Sequence, residues 1–220
     1  MKKLFGKKVS FLQMFLTLLF VVALLVSNVV TSKQIQLPFG IVMTGGLFVF
    51  PITYILSDLF SEVYGYKWSR ITCYLGFAFN LFMVLIFSLV IITPAPEYWA
   101  NQEAFQLVLG SAPRILFASM IAFLIGDFVN DKVFAKMKKR YPNNHNGFGF
   151  RAITSSLCGQ IVDSLIFMPI AFLGLMPVPV LIQLIVLEIM VKTSYEVFIL
   201  PLTTIIVKKV SKAEGITESR

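Results

Sequence analysis

The sequence predicts an all-α integral membrane protein: a single bundle of six transmembrane helices with both ends on the cytoplasmic side (N-in/C-in). Of its 220 residues, 57% are hydrophobic and only 14% are charged, whereas a soluble domain is about half apolar and about a quarter charged. The apolar residues form long blocks, and about 18 or more in a row indicate a helix that spans the bilayer. The predicted spans are approximately 9–30, 41–60, 69–92, 113–134, 151–173 and 180–207, so residues 1–220 leave little chain for a soluble domain.

The orientation follows from the distribution of lysine and arginine. These residues collect in the N-terminal tail, in the second and fourth loops and in the C-terminal tail, whereas the other three loops hold only Lys33 and Arg114. Because cytoplasmic loops carry the excess of basic residues, both ends are predicted to be cytoplasmic. The net charge of +8 is explained by these flanks, so no nucleic-acid partner is expected.

Several kinds of chemistry have no support in the sequence. Cys73 and Cys158 fall near cytoplasmic helix ends, where a structural disulfide is not expected. His145 stands alone in a polar loop, so no metal site or cofactor is predicted. The chain has no Walker A pattern and lacks the Gly-x-Gly-Asp motif of intramembrane aspartyl proteases. It is therefore not expected to be an enzyme.

Polar residues within spans are the informative ones, because an ionised residue at a helix centre costs about 2.5–3.5 kcal/mol on insertion scales. In span five, Ser156, Gln160 and Asp163 follow i, i+4, i+7 spacing, and Phe167 continues that face. Asp163 falls near mid-span. Either it serves a function or it belongs to a buried structural pair.

Span six carries Glu188, Lys192 and Glu196 at successive i+4 steps, with Tyr195 beside them. Two carboxylates would then flank one ammonium. The three groups could form a cluster within the helix, or Lys192 could pair across the bundle with Asp163.

Span two contains Pro51, Tyr54, Asp58 and Glu62 at i+3 and i+4 steps. Pro51 is predicted to kink this helix because it removes a backbone hydrogen bond. Glu62 lies towards the cytoplasmic end. An ion pair there with Arg70 or Arg151 is at least as plausible as a ligand role.

Other spans add polar residues of the same kind. Span four places Ser119, Phe123, Asp127 and Asn130 on one face, while span three offers Asn80 and span one ends near Asn28. Because polar groups facing lipid are costly, these stripes should converge on an internal cavity suited to a small, planar, hydrogen-bonding solute. The candidate lining residues are Asn28, Phe50, Tyr54, Asp58, Asn80, Asp127, Ser156, Gln160, Asp163, Phe167, Glu188, Lys192, Tyr195 and Glu196, and the candidate structural or gating charges are Glu62, Arg70 and Arg151.

The ordered combination of motifs resembles one known family. The motifs are Ser27-Asn28, Phe50-Pro51-x-x-Tyr54-x-x-x-Asp58, Glu62-Val63-Tyr64-Gly65, Arg151-x-x-x-Ser155-Ser156, Gly159-Gln160-x-x-Asp163-Ser164 and Lys192. Together they resemble the queuosine precursor transporters of the vitamin uptake transporter family over about residues 10–210. The resemblance implies a six-helix protein of the bacterial inner membrane that imports 7-cyano- or 7-aminomethyl-7-deazaguanine, which are planar, guanine-like solutes.

Two modes of action remain open at this point. One is a stand-alone secondary transporter, for which a proton or a sodium ion is a candidate coupling ion and a homodimer is compatible with so small a bundle. The other is the substrate-binding subunit of an energy-coupling-factor importer. Such subunits present Ala-x-x-x-Ala on the first helix, whereas this helix is bulky from Phe15 to Val22. That difference favours the stand-alone transporter.

Overall fold

The computed structural model describes residues 9–140 and 147–215, and within them the side chains of Phe50, Arg151 and Glu196, among a few others, lie outside the described part. The described chain is mostly helical, as predicted, although it also contains a short β-hairpin. The helices are α1 Phe11–Val30, α2 Phe50–Leu59, α3 Tyr66–Ile92, α4 Gln102–Leu109, α5 Ala112–Arg140, α6 Gly147–Phe172 and α7 Val178–Ala213. Within the described residues, five helices are long and apolar enough to cross a membrane, and they coincide with every predicted span except the second.

The second predicted span, 41–60, is built differently from the expectation. It begins with strand β2 (Val42–Thr44), which pairs antiparallel with β1 (Gln34–Gln36) in a short hairpin. A 3₁₀ turn, Gly45–Phe48, follows. The apolar composition of this segment did not separate strand and turn from helix.

The predicted kink at Pro51 is wrong. Pro51 stands in the first turn of α2, where a missing backbone N–H breaks no helical hydrogen bond. The irregularity lies instead at the other end of α2, where Phe60–Tyr64 forms a π-helical turn. Gly65 then ends the segment with a φ of 84°, which glycine adopts without strain.

The third loop contains a helix that the sequence reading treated as loop. Helix α4 is eight residues long, and its first side chain, Gln102, donates a hydrogen bond of 3.0 Å to the carbonyl oxygen of Ile91. This bond holds α4 against the end of α3. The predicted fourth-loop turn with His145 falls in 141–146, outside the described residues.

Helices α5 and α6 form a closely packed antiparallel pair. Ala118 and Ala122 are fully buried along α5. One turn on, a Cβ at Gly126 would lie 2.9 Å from the carbonyl oxygen of Gly159, and a Cβ at Gly159 would lie equally close to that of Gly126. Small residues therefore let the two backbones approach, as is common between membrane helices.

The far ends of the same pair are joined by Arg114. Its Nε donates to the carbonyl oxygen of Ile170 and its Nη2 to that of Leu173, both at 2.6 Å. Carbonyls at the end of a helix lack partners within it. Arg114 therefore caps α6 from α5.

The beginning and end of the described chain meet at one end of the bundle. The Ser10 hydroxyl, which caps α1, donates to Oε1 of Glu214 just after α7. The Tyr64 hydroxyl donates to the same oxygen at 3.2 Å. The start of α1, the π turn and the end of α7 therefore lie side by side.

Candidate functional site

A cavity of about 560 Å³ lies between the helices. Its wall takes side chains from α1, α2, the π turn, α3, α5, α6 and α7. The predicted residues that line it are Asn28, Tyr54, Asp58, Asp127, Ser156, Gln160, Asp163, Phe167, Glu188, Lys192 and Tyr195, with Arg70 among them. The polar stripes of five separate helices are thus brought to one space.

The centre of the charged wall is Lys192. Its ammonium Nζ lies 2.8 Å from Oδ2 of Asp163 and 2.9 Å from Oε1 of Glu188, and it donates to the Ser164 hydroxyl at 3.2 Å. Lys192 is therefore both part of a cluster within α7 and the partner of Asp163 on α6. The contact with Glu188 and the contact with Asp163 are thus both present, whereas the side chain of Glu196, the third predicted member of the cluster within α7, lies outside the described part. The cluster of Asp163, Glu188 and Lys192 is called the charged triad below.

Glu188 is the most deeply buried carboxylate of the triad, with 2% of its surface exposed. Although Oε1 lies beside Lys192, Oε2 has no hydrogen-bond donor among the described residues. A buried carboxylate oxygen without a donor is costly. The triad therefore contains a buried acceptor, on a residue that lines the cavity, for which the described residues supply no donor.

A second ion pair lies between α3 and α5. Nη2 of Arg70 donates to Oδ2 of Asp127, and Oδ2 of Asp131 lies 3.8 Å from the same nitrogen. Nε of Arg70 also donates to the Tyr66 hydroxyl at 2.7 Å. The expected pairing of Glu62 with Arg70 is thus replaced by pairing with Asp127, and Glu62 is exposed on the π turn, outside the cavity lining.

Helix α2 and the π turn supply the third part of the wall. Tyr54, Ser57 and Asp58 line the cavity from α2, and Ser61 lines it from the π turn. A π turn widens the helix by one residue per hydrogen-bonded ring and often occurs at functional sites. Here it lets the polar face of α2 continue along the cavity into the following turn.

Asn80 does not line the cavity, in contrast to the expectation. Its side chain is 1% exposed; it accepts a hydrogen bond from Nδ2 of Asn28 and donates to the carbonyl oxygen of Gly76 at 2.9 Å. Asn80 therefore holds Asn28, and it is Asn28 that borders the cavity.

Sequence reasoning missed most of the lining from α3. Tyr66, Arg70, Cys73 and Phe77 all border the cavity. Their i, i+4, i+7, i+11 spacing is a helical stripe that could have been found. The stripe was missed because Arg70 was considered only as a structural or gating charge and Asn80 as the mid-span polar residue, while a cysteine and aromatic residues are hard to distinguish in an apolar helix.

Aromatic rings lie beside the charged groups. Tyr54, Tyr195 and Phe123 line the cavity, and the Phe77 ring packs 5.4 Å from that of Phe123. Phe167 also borders the cavity but is 8% exposed and packs edge-on against Phe172. Flat apolar faces together with carboxylate, amide and hydroxyl groups suit a planar solute with polar edges.

The fold and the cavity define a class of protein: a multi-pass membrane protein whose helices enclose a charged and aromatic cavity. Residues 44–206 match the family described as "Putative vitamin uptake transporter", and the chain belongs to that family. The chain is also 24% identical over 175 residues, 80% of its own length and 76% of the relative's, to a "Probable queuosine precursor transporter" of Bacillus subtilis (strain 168). No solved structure matches the chain significantly.

Proposed function

We propose that this chain imports queuosine precursors, 7-cyano- or 7-aminomethyl-7-deazaguanine, across the bacterial inner membrane. The observation that carries the proposal is the cavity in which the carboxylates of the charged triad lie beside aromatic rings. The relative from Bacillus subtilis gives the solute class, and the chemistry of the cavity agrees with it.

The solute has features that match the wall of the cavity. A deazaguanine has flat faces, for which Tyr54 and Tyr195 are the proposed stacking partners. Its N1–H and 2-amino group form a donor edge, and a carboxylate, Asp163 or Glu188, accepts from such an edge. Gln160, as an amide with both donor and acceptor atoms, would contact the lactam edge. Each of these groups lines the cavity.

The membrane arrangement proposed is six crossings with both ends cytoplasmic. The helical turns from Gly45 to Tyr64 are interrupted only at Val49, and together they are long enough for one crossing of about 30 Å. Together with the five long helices, this segment would make six crossings. An even number of crossings is supported by the contacts of Ser10 and Tyr64 with Glu214. The basic residues of both tails support a cytoplasmic position for that end.

The chain is proposed to work alone rather than as the binding subunit of an energy-coupling-factor importer. The side of α1 that faces away from the bundle carries large exposed side chains, among them Phe15, Leu18 and Val22. These large side chains replace the small residues through which a binding subunit of an energy-coupling-factor importer docks its partner. Bulky apolar residues there suit contact with lipid.

The experiment is direct binding of labelled 7-aminomethyl-7-deazaguanine to the purified chain, with unlabelled guanine and adenine as competitors. Guanine shares the proposed donor edge, whereas adenine presents an amino group and a ring acceptor in its place. We expect guanine to compete at least about tenfold better than adenine, since buried groups that lose their hydrogen-bond partners penalise binding. Equal competition by adenine would contradict a site that recognises the guanine edge.

A further inference from the structure

We propose that the cavity is selective for a solute that carries one positive charge, so that an amine-bearing deazaguanine binds better than its neutral 7-cyano counterpart. This inference rests on the proposed function and deepens it by naming the charge of the solute. It begins with the charges of the described side chains that line the cavity.

Carboxylates outnumber basic groups in this lining. The titratable groups are Tyr54 and Asp58 from α2, Tyr66, Arg70 and Cys73 from α3, Asp127 and Asp131 from α5, Asp163 from α6, and Glu188, Lys192 and Tyr195 from α7. Five of them are carboxylates and two are basic. With all seven ionised, the described lining carries three more negative than positive charges, and a cavity surrounded by low-dielectric protein and lipid amplifies that field.

The two basic groups are already shared. Lys192 lies within 2.9 Å of both Asp163 and Glu188, and Arg70 contacts Asp127 with Asp131 at 3.8 Å. Each of these two clusters therefore contains two carboxylates and one positively charged group. Neither basic group is left over to receive an additional anion or to balance the surplus.

Part of the surplus negative charge belongs to the Glu188 carboxylate, which has an unsatisfied oxygen. Oε2 is buried, belongs to a residue that lines the cavity, and has no donor among the described residues. A solute ammonium has three N–H donors, and a hydrogen bond between two charged groups is about twice as strong as a neutral one. A nitrile offers only an acceptor and leaves Oε2 unsatisfied. The chemistry at this oxygen thus distinguishes the two C7 substituents.

The test compares three unlabelled deazaguanines as competitors of labelled 7-aminomethyl-7-deazaguanine on the purified full chain at pH 7. They are the 7-aminomethyl compound, the 7-cyano compound and the neutral 7-ethyl compound, in which a methyl group replaces the ammonium and the shape is kept. We expect the amine to compete at least about tenfold better than either neutral compound. In Glu188→Gln, which keeps the shape and removes the charge, this ratio should fall to within about threefold.

Two further variants keep the test decisive. Glu188→Asp retains the negative charge and should keep most of the preference for the amine. Asp163→Asn should reduce that preference, and it provides a test if the Glu188 variants fold poorly. Glu103→Gln makes the same chemical change on the exposed side of α4, outside the cavity lining, and should leave the ratio unchanged. Equal competition by the three compounds would overturn the inference, and so would an unchanged ratio of amine to neutral competitor in both Glu188→Gln and Asp163→Asn.

The positive charge could have another source, and the same assay separates it. If a coupling proton or sodium ion supplied the charge, the 7-cyano compound would bind as tightly as the amine. Its binding would then take up a proton, measured with an indicator in weak buffer, or would require sodium. Either result would overturn the preference for an amine while leaving the proposed function intact. Failure of all three compounds to bind would reject both.

Discussion

At the scale of residues, the charged triad joins two kinds of evidence that the sequence offered separately. The i+4 spacing of Glu188 and Lys192 predicted a contact within α7, and the mid-span position of Asp163 suggested a partner on another helix. The structure has both contacts on one ammonium. Spacing within one helix can be read from a sequence. The rotation of α6 against α7 cannot, because it is set by the packing of the two helices.

Lys192→Met tests the triad as a unit. The change leaves Asp163 and Glu188 next to each other without a counter-charge, and breaking a buried ion pair on one side costs about 3 kcal/mol or more. We expect a clear fall in the thermal unfolding temperature of the purified protein and loss of solute binding. Lys208→Met, an exposed change on the same helix, serves as the control. Unaltered unfolding of Lys192→Met would show that the triad does not hold α6 to α7.

Residues that support others were the hardest to predict at this scale. Asn80 was chosen for its polarity and mid-span position, yet its amide is used to hold Asn28. Glu62 was expected to pair with Arg70 or Arg151 because it lies towards the cytoplasmic end, yet Arg70 reaches across to α5. Polarity within a span thus predicts that a residue has a partner but leaves the choice between protein and solute to the tertiary structure.

At the scale of elements, the long helices followed from hydropathy and the interrupted segment did not. Each of the five long helices has more than enough apolar residues for a crossing, so its existence follows from composition alone. The segment 41–64 has similar composition but changes from strand to 3₁₀, α and π geometry. Those changes depend on a close approach such as that of Gly45 to Val30, whose carbonyl oxygen would lie 2.3 Å from an added Cβ.

Gly159→Val tests the packing of α5 against α6. The added side chain would meet the Gly126 carbonyl oxygen and the Asn130 Cβ, at 2.9 and 3.1 Å from the new Cβ. Forcing the helices apart should lower the free energy of unfolding by on the order of 2 kcal/mol. The matched control is Ala135→Val, an enlargement on the exposed side of α5. If both variants unfolded at the wild-type temperature, the close contact of the two glycines would be refuted.

The link between α3 and α5 is tested by exchanging its charges. Arg70→Asp places a carboxylate beside Asp127 and Asp131 and should reduce both stability and uptake. The double variant Arg70→Asp with Asp127→Arg restores opposite charges and should recover part of the lost thermal stability. Because both side chains are partly exposed, the coupling is expected to be modest, about 1 kcal/mol or less. Strictly additive effects would argue against a direct pair.

At the scale of the whole molecule, the contacts at Glu214 and the basic tails support the proposed topology. With six crossings and cytoplasmic ends, green fluorescent protein fused at either end should fluoresce. Alkaline phosphatase fused after Tyr98 should be active, because the loop between α3 and α4 would face outwards. Fluorescence at only one end would imply an odd number of crossings and contradict the proposed second crossing through α2.

The account depends most on the claim that the cavity carries a deazaguanine across the membrane without other subunits. The direct measurement is uptake of labelled 7-aminomethyl-7-deazaguanine by vesicles reconstituted with this purified chain alone, comparing wild type with Asp163→Asn. We predict uptake by the wild type, and a loss of at least about tenfold in the variant at equal protein content. Absence of uptake by a wild-type protein that binds the solute would contradict stand-alone transport, and equal uptake by the variant would remove Asp163 from the site.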